Sequence, residues 1–188
     1  TSKEYTCYYA RFVDDRLEDA LSVLAEMVID SVFAQDAIDT EREVVLEEIA
    51  RSEDAPDDYV FELYSSKTFE NHPLGLPVLG SRELVSSYTH DDCRNFHDTH
   101  YHAGNLVLAA AGNVDHDALV KLTQKHFESM KPGIKAQRVL DKPTFNSGVY
   151  SATRDTEQAQ LIYGFPWFGV GDERRYIGSC LLYTSPSP

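Results

Sequence analysis

The sequence is short of cysteine, of positive charge and of long apolar runs, and each shortage excludes a class of protein. Three cysteines in 188 residues (Cys7, Cys93, Cys180) are odd in number and far apart, so no disulfide framework is implied. That usage fits a reducing compartment, and a cytoplasmic location is the expectation. Seventeen Lys and Arg against 31 Asp and Glu leave a net charge of −14. Such a balance argues against a sequence-independent grip on nucleic acid and suits cationic ligands or basic peptides. No apolar stretch approaches the roughly 20 residues of a membrane-spanning helix. No internal repeat is present. An initiator Met is also missing: the chain opens at Thr1 and enters a strand-like pattern at once, so a targeting segment would lie upstream.

What is there reads as an ordinary globular protein, 42% apolar and 26% charged. The length suffices to bury roughly 70% of the extended-chain surface. Residues 4–13 are aromatic- and β-branched-rich and predict a strand. Asp14 or Asp15 can cap a helix to about Phe33, with Leu17, Ala20, Leu21, Leu24, Met27 and Val28 at amphipathic spacing. A second helix is predicted from about Asp36 to Ser52, and a third opens at Pro56 and Asp57. Pro and Gly make 71–80 a loop. Further helices are predicted from His90 to Tyr101 and from an Asp115 cap to about Met130. A connector follows from Lys131 to about Thr144. The runs 106–111, 148–153 and 158–165 read as strands. Strands that flank and interrupt helices predict an α+β fold, an antiparallel or mixed sheet packed by helices. The last stretch, 178–188, breaks register and reads as a non-native tail.

The second helix carries the informative segment, Thr40-Glu41-Arg42-Glu43-Val44-Val45-Leu46-Glu47-Glu48-Ile49. On a wheel with Glu41 at zero, Val45 falls near 40°, Glu48 near −20° and Ser52 near 20°, with Ile38, Val44 and Ile49 within about 80°. Glu43 and Glu47 point away, near −160° and −120°. Glu41 and Glu48 therefore share the apolar side. An unpaired buried carboxylate costs several kcal/mol, so this pair needs a cation, a metal or strong donors; otherwise both reach to solvent or pair with Arg or Lys. Their backbones lie roughly 10 Å apart along the axis, too far for both to bind one ion squarely. One ligand and one supporting carboxylate is the natural division.

Several ordered segments carry a resemblance. Thr1-Ser2-Lys3-Glu4-Tyr5-Thr6-Cys7-Tyr8-Tyr9-Ala10, then Glu41 to Ile49, then His72-Pro73-Leu74-Gly75 resemble the pitrilysin/insulinase family of zinc peptidases, in its processing-peptidase branch. Tyr101, the run from Asn105 to Val114 and Glu157-Gln158-Ala159-Gln160 continue the likeness to about Ile177. The resemblance implies one half of a processing-peptidase-like metallohydrolase. Residues 1–87 would be the remainder of its zinc-binding region, and 88–177 the second part of the same unit with the start of the carboxy-terminal region. It implies a zinc-dependent endopeptidase with Glu48 as metal ligand and Glu41 as the second acidic residue of the site. The family's H-x-x-E-H motif precedes that ligand by roughly seventy residues, which places it upstream of Thr1. The 188-residue chain alone is then expected to be inactive. Peptide or unfolded polypeptide substrates, basic ones suiting the charge, and a second peptidase half or homologous subunit are the implied partners. Nucleic acid and membrane are not. A non-catalytic scaffold or partner subunit of the same fold is the competing reading.

Other signals read as structural. Cys93, His97 and His100 sit at i, i+4 and i+7 with His102 beyond, a spacing that could serve zinc. The family pattern has apolar or aromatic residues at Cys93 and His100, so a buried thiol and packing imidazoles are the expectation. His72 reads as a residue that positions its turn, and His90, His116 and His126 as helix-start or surface residues. Gly75 and Gly80 lack a phosphate-loop context, and 53–58 lacks the spacing of a calcium loop.

Overall fold

A computed structural model of the chain describes residues 1–134 and 142–184. Part of the connector expected after Lys131, and residues 185–188 of the expected tail, lie outside the described residues. Among the described residues seven α-helices follow one another: α1 Leu17–Ile29, α2 Gln35–Asp54, α3 Pro56–Thr68, α4 Arg82–Ser87, α5 His90–His100, α6 His116–Phe127 and α7 Arg175–Thr184. Short 3-10 turns stand at Asp14–Arg16, Pro73–Gly75 and Ala103–Asn105.

Local chemistry explains most of the starts. Pro56 occupies the first turn of α3 with Asp57 and Asp58 beside it, where a missing N–H costs nothing and negative charge meets the helix dipole. Thr89 and Asp92 form a reciprocal capping box on α5, and the Thr89 hydroxyl and N–H hold the Asp92 carboxyl below its usual range. Asp115 accepts from the Ala118 N–H at 2.9 Å to cap α6. The start of α1 differs from expectation. Asp14 and Asp15 lie in a 3-10 turn and make no cap; Asp14 accepts from Asn113 Nδ2 at 2.5 Å instead. A tertiary partner has outbid the local one. Residues 82–87, which periodicity does not mark, form α4 behind a Ser81 cap.

Packing joins α1 to α6, and α2 to both α3 and α4. The core is small: Leu21, Ala25 and Val28 of α1, Ile49 of α2, Val85 of α4, and Met130. Met27, expected on the α1 stripe, is 51% exposed, because the buried line of α1 runs 21–25–28 and Met27 falls outside it. Lys125 of α6 reaches Glu18 of α1 at 2.5 Å. Residues 144–165 run alongside α3. The Asn146 N–H donates to the Thr68 carbonyl at 2.9 Å, Lys67 lies over the Tyr150 ring, Gly164 abuts the Tyr64 ring, and Arg154 stacks on Tyr59.

The α+β expectation is corrected. Among the described residues there is no strand and no sheet. Runs 4–13, 106–111, 148–153 and 158–165 make no strand-to-strand hydrogen bond. Most of their side chains face outward, with Val107 91%, Val149 100% and Tyr163 79% exposed, while Leu106, Leu108 and Ile162 are half-buried. A β-branched run reports a capacity to pair, and a strand exists only when a neighbour accepts its backbone bonds. The surface agrees: 15111 Å² remains accessible, against roughly 9,000 Å² for a compact monomer of this mass. The burial expected from length is therefore not reached.

Candidate functional site

Helix α2 carries both glutamates singled out above. Its buried line is Ile38, Arg42, Val45 and Ile49, of which Ile49 is buried and the rest half-buried. Taking Ile38 as zero, these residues fall within about 60° of one another, while Glu41 and Glu48 fall near −60° and −80°. The two carboxylates thus share one edge of the helix, beside the buried line rather than on it. Both are exposed, which corrects the expectation that they point into an apolar face. Desolvation therefore does not compel a cation there. Among the described residues neither carboxylate has a hydrogen-bond or ion-pair partner. Glu43 and Glu47 are exposed on the far side, as the wheel has it.

Among the described residues no three His, Cys, Asp or Glu side chains converge as a metal set. A zinc site needs three protein ligands and an open position, or four ligands. The Glu48 carboxylate has the chemistry of one such ligand, with no competing cation on it, and the described residues supply no more than that share of the set.

The residues around α2 fix its pose. Arg42 donates from Nη1 to Asp39 Oδ1 at 2.7 Å and from Nη2 to the Tyr88 carbonyl at 2.8 Å. Its first bond holds the Asp39 carboxyl below the usual range, helped by Gln35. At the other end Arg82 donates to Glu53 Oε2 from Nε at 3.0 Å and Nη2 at 2.6 Å. Arg42 was open to discovery in the sequence, since it stands at i+4 from Ile38 and i−3 from Val45, where an arginine interrupts an apolar line.

The amino-terminal segment is tied down nearby. Lys3 Nζ donates to the carbonyls of Leu74 and Leu76 at 2.8 and 2.9 Å. In that loop His72 Nδ1 accepts from the Leu74 N–H at 3.1 Å, so it positions the turn, and His102 caps the turn after it in the same manner. Gly75 is required at its place, for a Cβ there would meet the Phe69 carbonyl oxygen at 2.5 Å.

Of the α5 histidines, His97 packs in the interior and His100 is exposed. His97 is buried, its Nε2 lies 2.8 Å from the Val28 carbonyl, and its ring stacks on Tyr101 with Phe33 at its edge. His100 tilts against Phe96. Cys93 is half-buried and all three cysteines are free thiols.

Comparison with known proteins gives these features a family. Residues 1–82 match the family described as Insulinase (Peptidase family M16), and residues 87–183 match the Peptidase M16 inactive domain. The uncharacterized zinc protease YmxG of Bacillus subtilis is 42% identical over 94% of this chain and 42% of its own length. An uncharacterized zinc protease of Rickettsia felis is 41% identical over 88% of this chain and 40% of its own. The chain thus spans about two fifths of the length of these relatives. Among solved structures, a protease from Helicobacter pylori aligns with a TM-score of 0.62 at 24% identity, over 71% of this chain and 32% of its own. A chain of complex III2 from Candida albicans aligns at 0.60 and 22% identity, over 73% of this chain and 33% of its own. At that identity the likeness is one of fold. With the two matches together spanning nearly every residue, the chain belongs to the insulinase, or M16, peptidase family.

Proposed function

We propose that the chain is part of a zinc-dependent endopeptidase in which Glu48 gives the metal one oxygen ligand and Glu41 supports the site. The observation that carries this is the pairing of family membership with two carboxylates on one edge of α2 that have no partner among the described residues. A bound zinc supplies activation of a water molecule and polarisation of the scissile carbonyl. This chain's part is to present the Glu48 carboxylate unpaired and to hold α2 still while it does so. The substrates are peptides or unfolded polypeptides, basic ones being favoured by the −14 charge. A second peptidase half or a homologous subunit completes the working enzyme, and the location is cytoplasmic. Because one carboxylate cannot hold zinc where three protein ligands are needed, residues 1–188 alone neither cleave peptides nor retain the metal.

A second reading is favoured by the match of residues 87–183 to a domain described as inactive. On it the chain belongs to a scaffold or partner subunit without chemistry. A polypeptide of the relatives' full length separates the two. On the peptidase reading Glu48→Gln strips zinc and hydrolysis together, and Glu43→Gln leaves both intact. Equal losses from both, or no zinc in the parent, would reject the assignment of Glu48. Stoichiometric zinc on dialysed 1–188, by elemental analysis, would reject the inactivity of the shorter chain.

A further inference from the structure

We infer that Arg42 is a positioning residue for the Glu41–Glu48 edge, the residue that sets how α2 is turned about its own axis. The inference rests on the peptidase reading above. Arg42 stands in the middle of the buried line of α2, between Ile38 and Val45, with only 20% of its side chain exposed. Its guanidinium holds Asp39 on its own helix and the Tyr88 carbonyl at the end of α4, 46 residues away. Its Nε is buried with no hydrogen-bond partner among the described residues.

Taking a charged fork out of water is costly, and an apolar side chain of similar volume often does as well or better for stability. What an aliphatic chain lacks is direction. A planar guanidinium bonded to two acceptors at once fixes an angle, whereas packing alone tolerates sliding. The angle matters at the helix surface. At a side-chain radius of roughly 6 Å, a 20° rotation of α2 carries each carboxylate about 2 Å sideways. That is as long as a zinc–oxygen bond, roughly 2.0–2.2 Å, and well beyond the ~0.5 Å tolerance of a working constellation. The Glu53–Arg82 pair ties the last turn of α2 to the first residue of α4, but its side chains are 50% and 45% exposed, and exposed pairs hold weakly. Arg42 is the shielded pin.

The test uses the polypeptide at the relatives' full length, with Arg42→Met, Arg42→Lys, and Leu21→Ala as a control that weakens the α1 core. Zinc release to a chromogenic chelator, and kcat and KM on a fluorogenic peptide, are measured well below each variant's Tm. Arg42→Met is expected to release zinc and to lose kcat by on the order of 10–100-fold, the usual effect of disturbing a ligand's support, with KM little changed. Arg42→Lys, which reaches one acceptor, recovers part of both. Leu21→Ala lowers Tm and leaves both at parental values. Parental zinc release and kcat in Arg42→Met, or equal changes in Leu21→Ala, would overturn the inference. If Arg42→Met does not fold, Arg42→Lys decides: parental release and kcat there overturn the inference, and an intermediate loss supports it. A parent that retains no zinc, or an unaffected Glu48→Gln, would instead overturn the peptidase reading itself.

Discussion

The Tyr8 hydroxyl lies 3.1 Å from the Tyr101 hydroxyl, joining the amino-terminal segment to the end of α5 across 93 residues of sequence. Burial first, and the bond to Tyr8 second, push the Tyr101 phenol up to about 12. An unfolded tyrosine titrates near ~10, so the folded state holds this proton more tightly. Its contribution to stability is complete below about pH 10 and is lost as pH rises through about 12. We predict one late phase in the phenolate absorbance, together with a denaturation midpoint that falls across that window. In Tyr8→Phe the phase moves earlier without reaching the unfolded value, because burial remains. A variant that titrates as the parent does would remove Tyr8 as a cause.

A second prediction concerns His97, whose Nε2 meets the Val28 carbonyl at the end of α1. His97→Phe keeps a ring to stack on Tyr101 but leaves that carbonyl without its partner in a buried place. The expected cost is about 1–3 kcal/mol by urea denaturation. An unchanged midpoint would mean that water replaces the imidazole.

Helix α1 offers a paired test of its buried line. Leu21 is 4% exposed and Met27 51%. Leu21→Ala should cost about 2–5 kcal/mol, whereas Met27→Ala should stay within about 0.5 kcal/mol. Similar losses at the two positions would restore the wider stripe that the spacing alone suggests.

How legible this was in the sequence depended on how local each cause is. The Asp115 cap, the Pro56 start and the α1 and α2 periodicities act within a turn or two, and the structure shows those helices. Strands answer to distant partners, so residues 106–111 and 158–165 could display the composition of a sheet without forming one among the described residues. The wheel paired Glu41 with Glu48 correctly because angular spacing is intrinsic to a helix. It misjudged their burial because the buried line is set by α3 and α4, which pulled Arg42 inward. Arg42 itself was visible as a charge interrupting an apolar line, yet its acceptor at Tyr88 depends on where α4 ends, and the Ser81 cap marks only where that helix starts.

The outward-facing runs have a colloidal consequence. Val107, Val149 and Tyr163 belong to stretches rich in β-formers with open backbone groups, the kind that recruit copies of themselves into ladders. Mutual repulsion among molecules bearing −14 is what keeps such stretches apart. Salt shortens that repulsion to about 10 Å at 0.1 M, and acidification toward the isoelectric point near 4.8 abolishes it. The purified chain should therefore keep best in dilute, alkaline, low-salt buffer, and turbidity should appear first where its charge is neutralised.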